Sequence, residues 1–223
     1  MENILKLIIN KMKKLVVVAL VLATGLISCK GEKKEKVKVR EKVETKKVVA
    51  KNNVDVATSV LNWKGTKASG EFHTGTVSFG ESTLVLEDGK LTSGEFVIDM
   101  STIKNTDIKS PKYAAKLVGH LSNADFFDVT KFSTSKFVIT SVKENGDKLD
   151  VTGNLTIKDV TKSITIPATV STADGVTTFK SDSFNVNRAD FNVKYGSKSF
   201  FDNLKDKFIN DLVEFSFEVK AKS

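Results

Sequence analysis

This chain of 223 residues has only one cysteine, two prolines, two histidines and one tryptophan. A lone Cys29 excludes an intramolecular disulfide, a thiolate zinc site built within the chain and a cysteine nucleophile in the domain that follows it. His73 and His120 lie 47 positions apart. Neither has a second ligand at metal spacing beside it, so no metal site is expected. A Gly-x-Ser-x-Gly elbow, a glycine-rich phosphate loop and a dinucleotide fingerprint are all missing. No catalytic constellation stands out and no cofactor is implied. With only Pro111 and Pro167 to interrupt it, and with Val, Ile, Thr and Phe abundant, the chain suits pleated, half-buried strands.

The formal charge of +8 is unevenly spread. Residues 1–29 carry +3 and residues 30–52 carry +6, whereas residues 53–223 hold 21 Lys and Arg against 22 Asp and Glu. A nucleic-acid-binding domain needs a basic face of its own to neutralise phosphates. This nearly neutral domain argues against such a partner.

The excess charge sits in a leader and a tether. Lys13-Lys14 precedes a weakly polar run, Leu15 to Gly25, in the pattern of an export signal. That run is too short for a comfortable membrane span. It ends at Leu26-Ile27-Ser28-Cys29, which resembles the lipobox of bacterial lipoproteins, where cleavage precedes the cysteine and the cysteine is lipidated. The competing reading of Cys29 is an incidental thiol at the end of an apolar segment. Met12 directly precedes the two lysines, and translation from there would give a leader of ordinary proportions. Residues 30–52 are dominated by Lys, Glu and Val and bury too little to offset their ordering entropy. They read as a flexible spacer, or simply as solvated low-complexity sequence. Lys30 lacks the acidic character associated with inner-membrane retention, which favours the outer membrane within an expected periplasmic or outer-membrane location.

Residues 53–223 are expected to form one domain. Period-two alternation recurs along 53–64, 69–79, 82–87, 91–100, 131–144, 148–158, 163–173, 176–187 and 211–221. Asp88-Gly89, Asn145-Gly146 and Asp174-Gly175 supply hairpin turns between such runs. Tyr113–Leu121 is the best helical segment, started by Ser110-Pro111, and a short helix is also possible over 200–207. About eight antiparallel strands with one helical insertion indicate an all-β sandwich or closed barrel. An eight-stranded barrel can be filled by side chains or can hold one small ligand. Fifteen phenylalanines concentrate in this domain. They are either ordinary core or the lining of an apolar cavity.

Four segments, in order, resemble the YceI-like family of bacterial lipid-binding proteins. They are Ser59-Val60-Leu61-Asn62-Trp63-Lys64-Gly65-Thr66-Lys67 with His73-Thr74-Gly75-Thr76-Val77; His120-Leu121-Ser122-Asn123-Ala124-Asp125-Phe126-Phe127-Asp128; Val151-Thr152-Gly153-Asn154-Leu155-Thr156-Ile157 through Lys162; and Asn187-Arg188-Ala189-Asp190-Phe191. Asn154, Asp159 and Asn192 depart from the usual pattern. The resemblance implies a lipocalin-like antiparallel barrel, exported from the cell. Its pocket would hold a polyisoprenoid, quinone-like or fatty-acyl chain. Candidate ligand-binding residues are then Trp63, Phe72, His73, Phe79, Phe96, Phe126, Phe127, Phe137, Arg188, Phe191, Phe215 and Phe217, with Trp63, His73 and Arg188 at the polar end. Arg188 either forms an ion pair with Asp190, the commoner use of such a pair, or meets a ligand phosphate. A solid barrel serving as a stress-response or interaction module, and a lipid-modifying enzyme, are the rival functions.

Overall fold

A computed structural model describes residues 41–42 and 52–222. The leader, Cys29 and most of the tether lie outside the described residues, as does the expected lipidation.

The chain forms β1 (Asn52–Asn53), β2 (Val60–Thr66), β3 (Phe72–Phe79), β4 (Thr83–Glu87), β5 (Lys90–Asn105), helix α1 (Pro111–Ser122), β6 (Thr134–Asn145), β7 (Lys148–Ile157), β8 (Val160–Ala173), β9 (Val176–Ser181), β10 (Phe184–Asn187) and β11 (Leu212–Lys222). All pairings between these strands are antiparallel. The sheet runs β5-β3-β2-β11-β9-β8-β7-β6, and the additional β5–β6 pairing closes it into a ring. Eight strands therefore form the barrel, as the family resemblance implied, where the alternation alone left a sandwich open. The short β1 and β4 hang from the edge of β5, and β10 adds a third partner for β11, beside β2 and β9.

The expected strand 176–187 is broken: β9 and β10 are separate, and both pair β11 along successive stretches. Strand β5 runs past Met100 to Asn105, and the β3–β5 register shifts between Thr76 and Ser78. There Thr102 Oγ1 accepts the Ser78 amide and donates to the Asp99 carbonyl. This hydroxyl offers the backbone partners inside the irregularity, a recurrent solution at bulges. The helix follows Pro111 at its first turn, where the missing N–H costs nothing. A 3-10 segment at Asp202–Lys207 takes the place of the short helix expected over 200–207.

The two barrel ends differ. The β7–β8 turn, the β2–β3 turn, the β5–α1–β6 connection and the long segment from Arg188 to Asp211 gather at one end. The β4–β5, β6–β7 and β8–β9 turns gather at the other. Toward that second end Val54, Leu84, Val151, Ala168 and Ala221 are buried and pack as a solid core. The first end is where the interior remains open.

Candidate functional site: an apolar cavity within the barrel

The interior contains a cavity of about 720 Å³. Its wall is made by alternate, inward residues of the strands, which is what a pleat with one buried face produces. They include Leu61 and Trp63 on β2, Val77 and Phe79 on β3, Phe96 to Met100 on β5, Leu155 and Ile157 on β7, and Val213 to Val219 on β11. Helix α1 lies over the open end and contributes Tyr113, Lys116, Leu117, His120 and Leu121, a stripe at helical spacing.

An aromatic band runs round the wall. Phe96 lies 5.5 Å from Phe179 between ring centroids, Phe179 lies 4.8 Å from Phe217, and Phe184 links Phe217 to Phe215 at 6.4 and 6.1 Å. These separations suit tilted and edge-on ring packing. The lumen stays hollow because several rings lie down on glycine. A Cβ on Gly75 would fall 2.4 Å from the Trp63 ring and 1.8 Å from the Lys104 carbonyl. A Cβ on Gly153 would fall 2.4 Å from the Phe137 ring. Missing side chains at these inward positions let the rings rest against the wall.

Polar groups are few and sit near the mouth. The Nδ1 of His73 is 2.9 Å from Asp107 Oδ2, and Asp107 Oδ1 accepts the Thr74 amide at 2.8 Å and the Asn105 side-chain amide at 2.6 Å. Burial pushes the Asp107 carboxyl up. The bonds from His73, Thr74 and Asn105 together outweigh that effect and hold it below the ordinary carboxylate value. His120 stands edge-on to Phe126 and to Tyr195, at 5.1 and 4.5 Å between ring centroids. The Trp63 indole nitrogen is buried without a hydrogen-bond partner among the described residues.

Arg188 is only 4% exposed and lines the cavity. Its Nε donates to the Asn210 carbonyl at 3.2 Å, Nη1 to Val193 at 2.9 Å and Nη2 to Ile209 at 3.1 Å. Nη2 also lies 3.2 Å from Asp211 Oδ1. The ion pair is thus with Asp211, which corrects the expected pairing with Asp190. Strand alternation ends at Asn187, whose side chain accepts the Ala189 amide and starts a 3-10 turn over Arg188–Phe191. In such a turn, residues two apart no longer share a face. Burial pushes the guanidinium below its ordinary value, with the Asp211 charge opposing.

Ten of the twelve candidates line the cavity: Trp63, His73, Phe79, Phe96, Phe126, Phe127, Phe137, Arg188, Phe215 and Phe217. Two do not. Phe72 is 50% exposed on the outer face, with Lys64 Nζ 4.4 Å from its ring centroid. Period-two alternation from the inward His73 and Phe79 places it there. Phe191 is fully buried within the hydrophobic core but does not reach the cavity. Aliphatic lining residues such as Ile157, Ile164 and Ile166, and Tyr195 at the mouth, were missed. Strand alternation alone could have found the three isoleucines. Tyr195 lies in irregular chain and carries no such signal. Among the described residues, no group of three or more His, Cys, Asp or Glu side chains could hold a metal ion.

The profile of the YceI-like domain matches residues 48–221, nearly the whole of the barrel-forming chain. The chain belongs to the YceI-like family. Among curated relatives, Protein YceI of Salmonella arizonae and of Salmonella paratyphi B are each 53% identical over 49 residues. Those matches cover 22% of this chain and 26% of the relatives' length. Solved YceI-like and related barrels share the fold. BcnA of Burkholderia cenocepacia superposes with a TM-score of 0.60 at 23% identity, over 75% of this chain and 98% of that one. A polyisoprenoid binding domain from Saccharophagus degradans, implicated in plant cell wall breakdown, gives 0.57 at 15% identity, over 78% and 99%.

Proposed function

We propose that this YceI-like protein binds one long apolar lipid, a polyisoprenoid, quinone-like or fatty-acyl chain, and carries or sequesters it in the cell envelope without transforming it. The observation that carries this reading is the cavity of about 720 Å³ with an almost wholly hydrocarbon wall. That volume is within the usual range for ligand pockets, and it disfavours the rival solid barrel. The Saccharophagus relative, a polyisoprenoid binding domain by name, supports the same ligand class. Burying about ten methylene-sized groups yields gross stabilisation of about 8 kcal/mol, which is the scale of micromolar affinity before ordering costs.

Both histidines line the cavity, but among the described residues neither is hydrogen-bonded to a nucleophilic side chain: His73 pairs through Nδ1 with Asp107, and His120 is flanked by aromatic rings. The lipobox-like Leu26–Cys29 supports export and anchoring through a lipidated Cys29, with residues 30–52 as the spacer. Organic extraction of the purified protein followed by mass spectrometry tests the central claim. A long-chain lipid should be recovered in near-equal molar amount. Recovery of none, together with no uptake of added isoprenoid, quinone or fatty acid, defeats it.

A further inference from the structure

We infer that the open end of the barrel is itself a membrane-docking surface, which seats the cavity mouth on a bilayer containing anionic lipids. This rests on the reading of the cargo as a lipid but names a partner for the rim around the cavity mouth, distinct from the cargo and from Cys29.

Charge is polarised along the barrel axis. The segments at the mouth, residues 64–73, 106–133, 158–162 and 188–211, hold 13 Lys and Arg against 9 Asp and Glu. The segments at the closed end, 54–58, 80–90, 143–150, 172–177 and 220–222, hold 5 Lys against 8 Asp and Glu. A nearly neutral domain thus presents a basic mouth and an acidic base, so an anionic surface attracts one end and repels the other.

Exposed apolar side chains follow the same polarity. Val56, Phe72, Tyr113, Tyr195, Phe200 and Phe201 are the large hydrophobic residues left exposed among those described. All but Val56 lie in the mouth segments. Tyr113 is 63% exposed and Phe201 48%, yet Tyr113 and Tyr195 also line the cavity. Lysines sit over two of the rings, Lys64 on Phe72 at 4.4 Å and Lys194 on Phe200 at 5.0 Å. Aromatic rings paired with long basic side chains are suited to an interface where one side is acyl chain and the other is headgroup. The apolar points come from three separate connections around an opening instead of forming one groove. A fluid surface fits that arrangement better than a folded partner, and cargo could pass through the opening without crossing water.

The strand ring closes within residues 52–222, so residues 52–223 can be tested without the leader or the lysine-rich tether. Flotation with phosphatidylcholine vesicles is compared with an equal phosphatidylcholine–phosphatidylglycerol mixture, at about 0.05 M and about 0.5 M salt. Binding is expected only with the anionic mixture and should weaken with salt. Phe200→Ser/Phe201→Ser and Lys109→Glu/Lys112→Glu, none of them in the cavity wall, should each lower the bound fraction at least about fivefold. Val56→Ser, at the closed end, should leave it unchanged. Thermal melting confirms that each variant is folded, and extraction of the same samples reports cargo. Cargo recovered without vesicle binding overturns the docking surface and leaves the carrier reading intact. Mouth-dependent binding without cargo upholds the surface and removes the carrier. Binding unaffected by the mouth variants, or equal on neutral vesicles, also overturns it.

Discussion

Replacing Arg188 by Met tests whether the guanidinium holds the barrel mouth together or waits for a ligand phosphate. The side chain donates to the carbonyls of Val193, Ile209 and Asn210 and pairs with Asp211. It therefore ties the 3-10 turn to the chain that enters β11. Methionine has similar reach and no donors. The variant leaves three carbonyls and a carboxylate without this partner in a largely dry place. Removing a buried guanidinium from three hydrogen-bonded carbonyls and an ion-paired carboxylate costs about 3–5 kcal/mol. For a domain of this size that lowers Tm by roughly 6–20 °C. Urea unfolding followed by far-ultraviolet circular dichroism reads the loss directly. Asp211→Asn keeps the three carbonyl bonds and should lose only about 1–2 kcal/mol. If Arg188→Met loses less than about 1 kcal/mol and instead releases the cargo, the guanidinium is a ligand anchor and the structural account is wrong.

Gly75→Ala sets a Cβ against both the Lys104 carbonyl and the Trp63 ring, so it should shift the β5 backbone as well as the indole, at a cost of about 3 kcal/mol or more. Trp63 is the one tryptophan, so its fluorescence reports the displacement; an unchanged spectrum with unchanged stability would contradict the glycine seat. Leu155→Trp narrows the lumen and should reduce extracted lipid several-fold while the barrel still melts cooperatively; undiminished lipid content would argue that the cargo lies elsewhere. The Asp107 carboxyl is held below its ordinary value by His73, Thr74 and Asn105. Its contribution to stability is present above the unfolded carboxylate pKa, about 3.9, and is lost as pH falls through the lower folded value. Asp107→Asn should then be less stable than the parent at neutral pH, with the gap closing below about pH 4; a constant gap in urea titrations across that range would refute the linkage.

The ring of strands was legible because the barrel has one buried face and strand residues report faces at period two. Phe79, Phe96 and Phe215 could be assigned inward on that basis. Phe72 could have been assigned outward by the same rule, and its aromatic character misled more than its position. The closing β5–β6 contact was not legible, since the strands are separated by α1 and pairing depends on tertiary closure. Arg188 was misread for a local reason: Asn187 caps a 3-10 turn, and periodicity changes within one residue. Hollowness was the least visible property. It depends on Trp63 and Phe137 lying over Gly75 and Gly153, which are pairs of residues from different strands whose meaning appears only in register.

That same arrangement limits the cargo. A methylene occupies roughly the volume of a water molecule in the liquid, about 30 Å³, so a lumen of about 720 Å³ holds on the order of two dozen carbons. This corresponds to four or five isoprene units. The solid packing of Leu84, Val151 and Ala221 blocks extension toward the closed end. A longer chain would have to leave its surplus at the mouth, among Tyr113, Tyr195 and the helix, where acyl chains of a bilayer could cover it. Extracted lipid should therefore be bounded near this length if the protein is purified away from membranes without detergent. Full-length chains of eight or more isoprene units, recovered from protein that stays monomeric and exposes no new apolar surface to a solvatochromic dye, would show that the lumen is longer than its wall residues allow.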